Sequence, residues 1–534
     1  MYRAILFLLV LSISAKAKDP YKRNAAIDVQ HYVFQLEMND STDVVSGKAT
    51  VNILFKKAAN EFELDLINKN AAGLGMEVSD VSLNGASLTF QHKNNRLLIK
   101  LPSAVQQGEL SFEISYKGIP QDGLIIGKNK FGDRGFFGDN WPDRGRHWLP
   151  VIDHPSDKAR VDFIITAPHH YSVIANGVRV EESFVDKKRK LTHYHEESPI
   201  PVKVMVAGVA RFAVEYVGKV DDIQSETWVY PQNKKDGFGD FKVGLEVLKY
   251  FHNKIGPYSF KKLAHVQSKT RWGGLENASA IFYFENSVNG KNDHDGLIAH
   301  ETAHQWFGDS ASEDDWHHVW LSEGFATYFS HLYLEHVYGS VRLKEEEKRD
   351  RDDVIKFAKK NRAPIVDTTI TDINTVLSPN TYQKAGWVLH MLRHKLGDSA
   401  FWKGIRTYYK TYQYKNALTP DFVRVMEQTS GQVLKPFFQQ WLYRGGYPEI
   451  SGSWKLDSKK KELTINLTQT QKEGAFSFPI DIEVEDISGA RVIHTLEVSN
   501  QQSSFNLPQV MKVKSVSLDP NTYLLFDGKI SAIK

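Results

Sequence analysis

The chain has 534 residues, of which 41% are hydrophobic and 25% are charged, a composition typical of a globular protein with about two to four domains. Its 67 basic and 64 acidic residues leave a net charge of only +3, so nothing favours a nucleic acid as partner. The sequence contains no cysteine, which excludes disulfides and thiolate chemistry and leaves His, Asp and Glu for any metal site.

The first 17 residues predict a cleaved signal peptide. Arg3 precedes an apolar stretch at residues 4–13, and Ala15 and Ala17 fit the small-x-small cleavage pattern. This stretch is shorter than the about 20 apolar residues that a membrane span needs. We therefore expect cleavage after Ala17, a secreted or periplasmic protein and no stable membrane insertion.

Alternating apolar and polar residues predict an all-β domain over residues 18–213. The clearest strand segments are 31–36, 49–55, 109–116 and 161–165. The basic run 187–190 lies between two such segments and indicates a solvated hairpin turn.

From about Gly237 the apolar period becomes helical, and residues 214–447 are expected to form a mainly helical catalytic domain. Helices are predicted over 297–309, 323–337, 386–396, 400–411 and 420–429. The charged stretch 341–360 is interpreted as a solvated surface helix. Alternation returns after Pro448, so residues 448–534 are predicted to form a small β-sandwich, and the fold class is multidomain α+β.

One segment has the spacing of a metal site. His300 and His304 are four positions apart on a predicted helix, so their imidazoles lie on one face and can both reach one metal ion. Glu301 points past that metal, which suits a base acting on metal-bound water.

A third ligand can come from the next predicted helix. Glu323 follows His304 by 19 positions, which is enough chain to turn back. Two His and one Glu leave a fourth tetrahedral position open, as in catalytic zinc sites. The alternative is a helix with two surface or core histidines, and the placement of Glu323 weakens it.

This zinc motif resembles that of the aminopeptidase N family of zinc metallopeptidases, which are gluzincins and include leukotriene hydrolase. The resemblance continues in two further segments. Residues 273–277 read GGLEN where the family has G-x-M-E-N, and residues 382–385 read YQKA where the family has Y-x-K-G. Leu275 replaces Met and Ala385 replaces Gly, which are mild changes in volume. The resemblance implies a thermolysin-like catalytic domain.

The resemblance also implies the role of each site residue. One zinc ion per chain would be held by His300, His304 and Glu323, with Glu301 as general base and Tyr382 as donor to the oxyanion. The substrate-binding residues implied by the second motif are Gly273, Gly274, Glu276 and Asn277. Glu276 would hold the α-ammonium of a peptide by a charge-assisted hydrogen bond, and the two glycines would let backbone approach the substrate closely.

One loop departs from the family. Many relatives bring a Gln and a Glu to the site from the N-terminal domain, and here Asp139 and Trp141 fall at those positions. Asp139 can share amine binding with Glu276, or it can serve only an Asx-turn in its loop. If Asp139 lines the first-residue pocket, basic N-terminal residues would be favoured.

The motifs together predict a zinc-dependent aminopeptidase that hydrolyses the N-terminal peptide bond of peptides with a free N-terminus. Many relatives add a helical C-terminal cover domain, which we do not expect here because the sequence ends at Lys534 after the predicted sandwich; a more open cleft is the hypothesis. Three rival interpretations are an endopeptidase, an epoxide hydrolase and a binding module without activity.

Overall fold

The computed structural model describes residues 19–509 and 512–533, so the predicted signal peptide lies outside the described residues. Within those two ranges, no helix combines the length and the apolar character needed to cross a membrane. The described residues form three successive regions, which are a β-rich region, a mixed helical region and a second β-rich region.

The first region consists of strands packed in three sheets. Its strands are β1 (Ile27–Glu37), β2 (Val45–Phe55), β3 (Ala59–Asp65), β4 (Gly75–Leu83), β5 (Ala86–Ser87), β6 (Phe90–Lys93), β7 (Arg96–Val105), β8 (Gly108–Ile119), β9 (Leu124–Lys128), β10 (Arg134–Gly138), β11 (Lys158–Pro168), β12 (Ser172–Ala175), β13 (Val178–Phe184), β14 (Arg189–Pro201) and β15 (Ala207–Ala210). The largest sheet has the order β13-β14-β11-β1-β2-β8-β4-β5, and the others are β12-β15-β10-β9 and β3-β7-β6. Every predicted strand segment falls within one of these strands, so the all-β expectation is confirmed.

Alternating burial explains why this region folds as sheets with one apolar face. Along β2, Val45, Ala49, Val51, Ile53 and Phe55 are buried while most residues between them are partly exposed. The predicted hairpin turn is also present, because Lys187 and Lys188 are exposed between β13 and β14.

The second region combines helices with a mixed sheet. Its helices are α1 (Lys234–Asp240), α2 (Gly244–Lys254), α3 (Asp295–His304), α4 (Trp320–Tyr338), α5 (Ser340–Ala358), α6 (Ala385–Leu396), α7 (Asp398–Tyr412), α8 (Thr419–Ser430) and α9 (Lys435–Leu442). Its strands are β16 (Ala213–Val220), β17 (Ile223–Val229), β18 (Lys262–Ser268), β19 (Gly274–Leu275), β20 (Ala280–Phe284), β21 (Ser312–Glu313) and β22 (Asn416–Ala417).

The sheet β16-β17-β18-β20-β19 was not expected from the sequence, which indicated helices here. Strand β18 lacks the alternation of apolar and polar residues that marks a strand, because all seven of its residues are buried, among them the polar Lys262, His265 and Gln267. Most of their polar atoms find partners inside the protein; Lys262, for example, donates to the carbonyl oxygens of Ala175 and Ser279. A strand buried on both faces shows no alternation.

The expectation for the charged helix α5 was wrong in part. Glu346, Glu347 and Asp350 are buried, whereas the sequence indicated a solvated element. The reason is His331 on α4, whose Nδ1 lies 3.2 Å from a Glu347 carboxylate oxygen and whose Nε2 lies 3.7 Å from an Asp350 oxygen. One face of α5 is therefore held against α4 by buried charge.

The third region contains two sheets. Its strands are β23 (Glu449–Asp457), β24 (Glu462–Gln469), β25 (Phe478–Asp486), β26 (Arg491–Val498), β27 (Gln502–Pro508), β28 (Val513–Leu518) and β29 (Asp527–Ala532). They form the sheets β27-β24-β23-β29 and β26-β25-β28. Leu463, Ile465 and Leu467 are buried at alternate positions of β24, so this strand presents one apolar face.

Candidate metal and active site

Two helices bring three donor atoms together. Helix α3 ends with His300 and His304, whose Nε2 atoms are 3.1 Å apart. Helix α4 contributes Glu323, whose Oε2 lies 3.3 Å from Nε2 of His304 and 3.6 Å from Nε2 of His300. The chain between the helices turns at Gly308, where φ is +130° and a Cβ atom would lie 2.3 Å from the Ser322 hydroxyl.

The three donors fit a zinc ion. Zinc bonds of 2.0–2.2 Å in a tetrahedron place ligand atoms about 3.3 Å apart, which is the spacing of these three atoms. Two imidazole nitrogens and one carboxylate oxygen are also the donor set of catalytic zinc. The structure thus places the predicted ligands His300, His304 and Glu323 together.

The electrostatics of the pocket favour a cation. Three buried carboxylates surround His304, those of Glu276, Glu301 and Glu323. Burial disfavours the charged form of His304, but these carboxylates outweigh burial and raise its pKa to about 10. Buried carboxylates that favour a positive charge on His304 would also favour a divalent ion beside it.

A hydroxyl orients one of the imidazoles. Nδ1 of His304 lies 2.9 Å from the Ser322 hydroxyl and 3.3 Å from the carbonyl oxygen of Phe307. Such a partner fixes the ring so that its Nε2 faces the metal position. Ser322 was not predicted from the sequence, although it directly precedes Glu323 on α4.

Glu301 lies directly against the edge strand β19. A Cβ atom at Gly274 would be 2.2 Å from Oε1 of Glu301, so the carboxylate occupies the space above this glycine. Burial is the main reason why the pKa of Glu301 is raised well above its ordinary value, and the neighbouring acids add to it. A carboxylate with a high proton affinity beside the metal position suits a general base.

Tyr382 lines the same cavity. It lies on a short π-helical turn, Asn380–Lys384, and its ring stacks on His300 with 6.0 Å between centroids. Burial and the nearby Glu323 raise the pKa of Tyr382 well above its ordinary value. The phenol therefore stays protonated and can donate a hydrogen bond to a reacting oxygen.

Glu276 follows β19 and is 5% exposed. Its Oε1 has no hydrogen-bond partner, and burial raises the pKa of this carboxyl. Gln305 fixes the backbone around it by donating to the carbonyl oxygens of Glu276 at 2.8 Å and Asn277 at 3.4 Å. A buried carboxylate oxygen without a partner is a binding site for a donor.

The other residues of the 273–277 segment play different parts. Gly274 lines the cavity that Glu276 and Glu301 also line, whereas Gly273 does not line it and has open space where a side chain would be. Asn277 is fully buried with its Oδ1 unpaired, behind Glu276.

The cavity at this centre is bounded on one side by large apolar side chains. Its lining residues are Trp141, Trp272, Gly274, Leu275, Glu276, His300, Glu301, His304, Glu323, Leu377 and Tyr382. The sequence analysis singled out neither Trp272 nor Leu377, because an isolated aromatic or aliphatic residue in a loop has no spacing signal that would mark it.

The structure does not place Asp139 in this lining, so the expectation that it meets the substrate amine is not supported. Its carboxylate is fully buried and pairs with Arg144. It also accepts hydrogen bonds from the Thr270 hydroxyl at 3.2 Å and from the Trp272 indole at 3.3 Å. Asp139 therefore positions the loop that carries Trp272, and the residue of its own loop that reaches the cavity is Trp141.

The donor set of the site, two His and one Glu, is that of a gluzincin metal site, and comparison with known proteins gives the family of the chain. Residues 28–202 match the peptidase M1 N-terminal domain, and residues 240–441 match the peptidase family M1 domain. The chain belongs to peptidase family M1, a family of zinc metallopeptidases, which confirms the resemblance found in its motifs.

Similar proteins are found in several organisms. The chain is 25% identical to probable aminopeptidase 2 of Sulfurisphaera tokodaii, over 90% of this chain and 62% of that protein. It is 25% identical to aminopeptidase M1-C of Oryza sativa subsp. japonica, over 77% of this chain and 50% of that protein. It is 26% identical to human glutamyl aminopeptidase, over 65% of this chain and 38% of that protein. The chain thus spans between about two fifths and three fifths of the length of these relatives.

Proposed function

We propose that this protein is a zinc-dependent aminopeptidase that removes the N-terminal residue of peptides. The observation that carries the proposal is the buried carboxylate of Glu276, which has an unpaired oxygen and lies with Glu301 and His304 in a group whose ligand atoms are all within 4.8 Å of one another. An α-ammonium bound to Glu276 would place the first peptide bond, and no later one, beside the metal position.

The chain's own groups supply most of the chemistry. His300, His304 and Glu323 would hold zinc, which supplies a Lewis acid that activates water and polarises a carbonyl group. Glu301 would take a proton from the attacking water and later give it to the leaving amine. The hydroxyl of Tyr382 would donate a hydrogen bond to the carbonyl oxygen as negative charge develops there.

The lining of the cavity supports a preference for apolar or aromatic N-terminal residues. Trp141, Trp272 and Leu377 supply apolar surface. Asp139 is fully buried, pairs with Arg144 and does not line the cavity, so its carboxylate does not face an N-terminal arginine. A leucyl or phenylalanyl peptide should therefore be a better substrate than an arginyl peptide, contrary to the first hypothesis from the sequence.

The function is tested with a peptide that has a free amine and with its acetylated twin, each with and without a zinc chelator. We expect cleavage of the free peptide alone, and only without chelator. In Glu276→Gln, kcat/KM for the free peptide should fall about 10²-fold, because a charged hydrogen bond is lost. Equal cleavage of both peptides would instead establish an endopeptidase.

A second variant separates catalysis from folding. Glu301→Gln keeps the shape of the side chain and removes its basicity, so zinc content should stay unchanged while kcat is lost. If Glu301→Gln retains most of the activity, the assignment of Glu301 as general base is wrong.

We also propose export from the cytoplasm, which the sequence of residues 1–17 supports. Expression of the full chain in a host with a secretion system, followed by N-terminal sequencing, should give a mature protein that begins at Lys18. Retention of Met1 in the soluble cytoplasmic fraction would contradict this proposal.

A further inference from the structure

A second group of metal-binding side chains lies on the first region, away from the residues of the active site. It consists of His31 on β1, Asp162 on β11, and His193 and His195 on β14, and is called here the histidine cluster. These strands are neighbours in the largest sheet, in the order β14-β11-β1. Residues 193 and 195 are two positions apart, so both side chains lie on one face.

The strand register explains how the four side chains meet. Asp162 is paired directly with His195 on one side and with Val33 on the other. His193 is paired with Ile164 and His31 with Arg160, so each lies on a diagonal two residues from Asp162. Diagonal neighbours on one sheet face are within reach of long side chains. Asp162 is therefore at the centre of three imidazoles.

The distances place every imidazole on the same carboxylate. Nε2 of His31 is 2.5 Å from Oδ2 of Asp162, and Nε2 of His193 is 2.5 Å from Oδ1. Nδ1 of His195 is 3.1 Å from both oxygens. The side chains of the histidines are 16%, 24% and 34% exposed, in the order 31, 193 and 195, so an ion in solution can reach them.

We propose that the histidine cluster binds a second divalent transition-metal ion, with zinc as the expected occupant. The imidazoles of His31 and His195 and the carboxylate of Asp162 form an N₂O donor set, which suits zinc and also copper(II). Ligand atoms of His31, Asp162 and His195 already lie within 4.8 Å of one another. His193 contacts Oδ1 of the Asp162 carboxylate but does not belong to this group of three.

Small side-chain movements are enough to admit the ion. Tetrahedral zinc needs ligand atoms about 3.3 Å apart, so the 2.5 Å separation between His31 and Asp162 must widen by under 1 Å, while the 3.1 Å contacts of His195 already fit. The imidazoles of His31 and His195 are partly exposed at the surface of the sheet. Each imidazole nitrogen that donates to Asp162 gives up its proton to solvent or to the other ring nitrogen when it binds metal.

Metal at this position would connect three strands of the first region. A ligand that binds only the folded state stabilises it by RT ln(1 + [L]/Kd). The melting temperature should therefore rise with zinc even when the catalytic site is disabled. The proposal rests on residues outside the active site, and its outcome does not depend on the proposed peptidase activity.

The test is a metal count on the full-length chain after equilibration with a slight excess of zinc and removal of free ion. We expect two zinc ions per wild-type chain and one in His195→Ala and in Asp162→Asn. Glu323→Ala, which disables the catalytic set, should also hold one and should still show a zinc-dependent rise in melting temperature. His169→Ala is the matched control, because His169 is an exposed histidine of the same region outside the cluster, and it should hold two.

Activity serves as a check on folding. His195→Ala and His31→Ala should keep the wild-type kcat/KM for a peptide substrate, or the wild-type circular dichroism spectrum if no activity is found. One zinc in the saturated wild-type chain would overturn the proposal, and so would two zinc ions in folded His31→Ala and His195→Ala. A copper(II) spectrum of nitrogen ligation in Glu323→Ala that His195→Ala/Glu323→Ala loses would support it independently.

Discussion

Replacement of Gly274 by Ala tests the placement of the general base with a single methyl group. The new Cβ atom would lie 2.2 Å from Oε1, 2.3 Å from Cδ and 2.5 Å from Cγ of Glu301, whereas nonbonded carbon atoms approach to about 3.5 Å. Neither Gly274 nor Gly273 has a positive φ, so the backbone itself accepts alanine. The conflict is therefore confined to the contact between β19 and Glu301.

The size of the effect follows from the overlap. Strand β19 is paired with β20 through Gly274 and Tyr283, so the Glu301 carboxylate must retreat by about 1 Å. A misplacement of about 1 Å lowers rates about 10²-fold, which is about 2.7 kcal/mol of transition-state stabilisation. We therefore expect Gly274→Ala to lower kcat about 10²-fold without lowering the zinc content.

Gly273→Ala is the matched control, since nothing lies within 4 Å of a Cβ atom there. Both variants are assayed for kcat and KM with a leucyl substrate, for zinc content and for melting temperature. Gly273→Ala should keep kcat within about threefold of wild type, with any change falling on KM. A Gly274→Ala enzyme with full zinc and a kcat within threefold of wild type would refute the position assigned to Glu301.

Three further predictions concern pocket, stability and pH. Trp141→Ala should lower kcat/KM for phenylalanyl peptides about tenfold by removing buried aromatic surface, and an unchanged ratio to alanyl peptides would contradict it. Lys203→Met should lower the free energy of unfolding, measured in urea, by about 3–5 kcal/mol, because it leaves the buried Glu313, which lies 2.6 Å from the ammonium, without a partner charge. A decrease below about 1 kcal/mol would refute this. Burial lowers the pKa of His331, but Glu347 and its acidic neighbours outweigh burial and raise it to about 9. The contribution of this pairing to the free energy of unfolding is thus complete below about pH 6.5 and falls by up to about 3 kcal/mol as pH rises through 9. The free energies of unfolding of wild type and His331→Gln, measured by urea titration, should therefore become equal above about pH 9.

The parts of the fold with regular periodicity could be predicted from the sequence. Helix α4 was expected over 323–337 and spans Trp320–Tyr338, and α6 was expected over 386–396 and spans Ala385–Leu396. The grouping of the predicted metal ligands was also predictable, because helix geometry places residues four positions apart, such as His300 and His304, on one face.

Contacts between distant segments could not be predicted in this way. The pairing of His331 with Glu347 buries a charged face of α5, yet in the sequence the same charges indicate solvent. For Asp139 the sequence left amine binding and a role within its loop both open, and only the fold shows that Arg144 and Trp272 contact its carboxylate. The histidine cluster was missed because its members are brought together by strand register over more than 130 positions.

With Trp141 in this loop, the proposed amine binding depends on a single side chain, that of Glu276. The family resemblance places a Glu where this chain has Trp141, and the indole packs against Trp272 and Trp316 with centroids 5.9 and 5.5 Å away. Among the described residues that line the cavity, Glu276 is then the one carboxylate that is neither a predicted zinc ligand nor the predicted base. No neighbouring acid can take over its role, so loss of its charge should remove the discrimination between free and acetylated N-termini rather than weaken it.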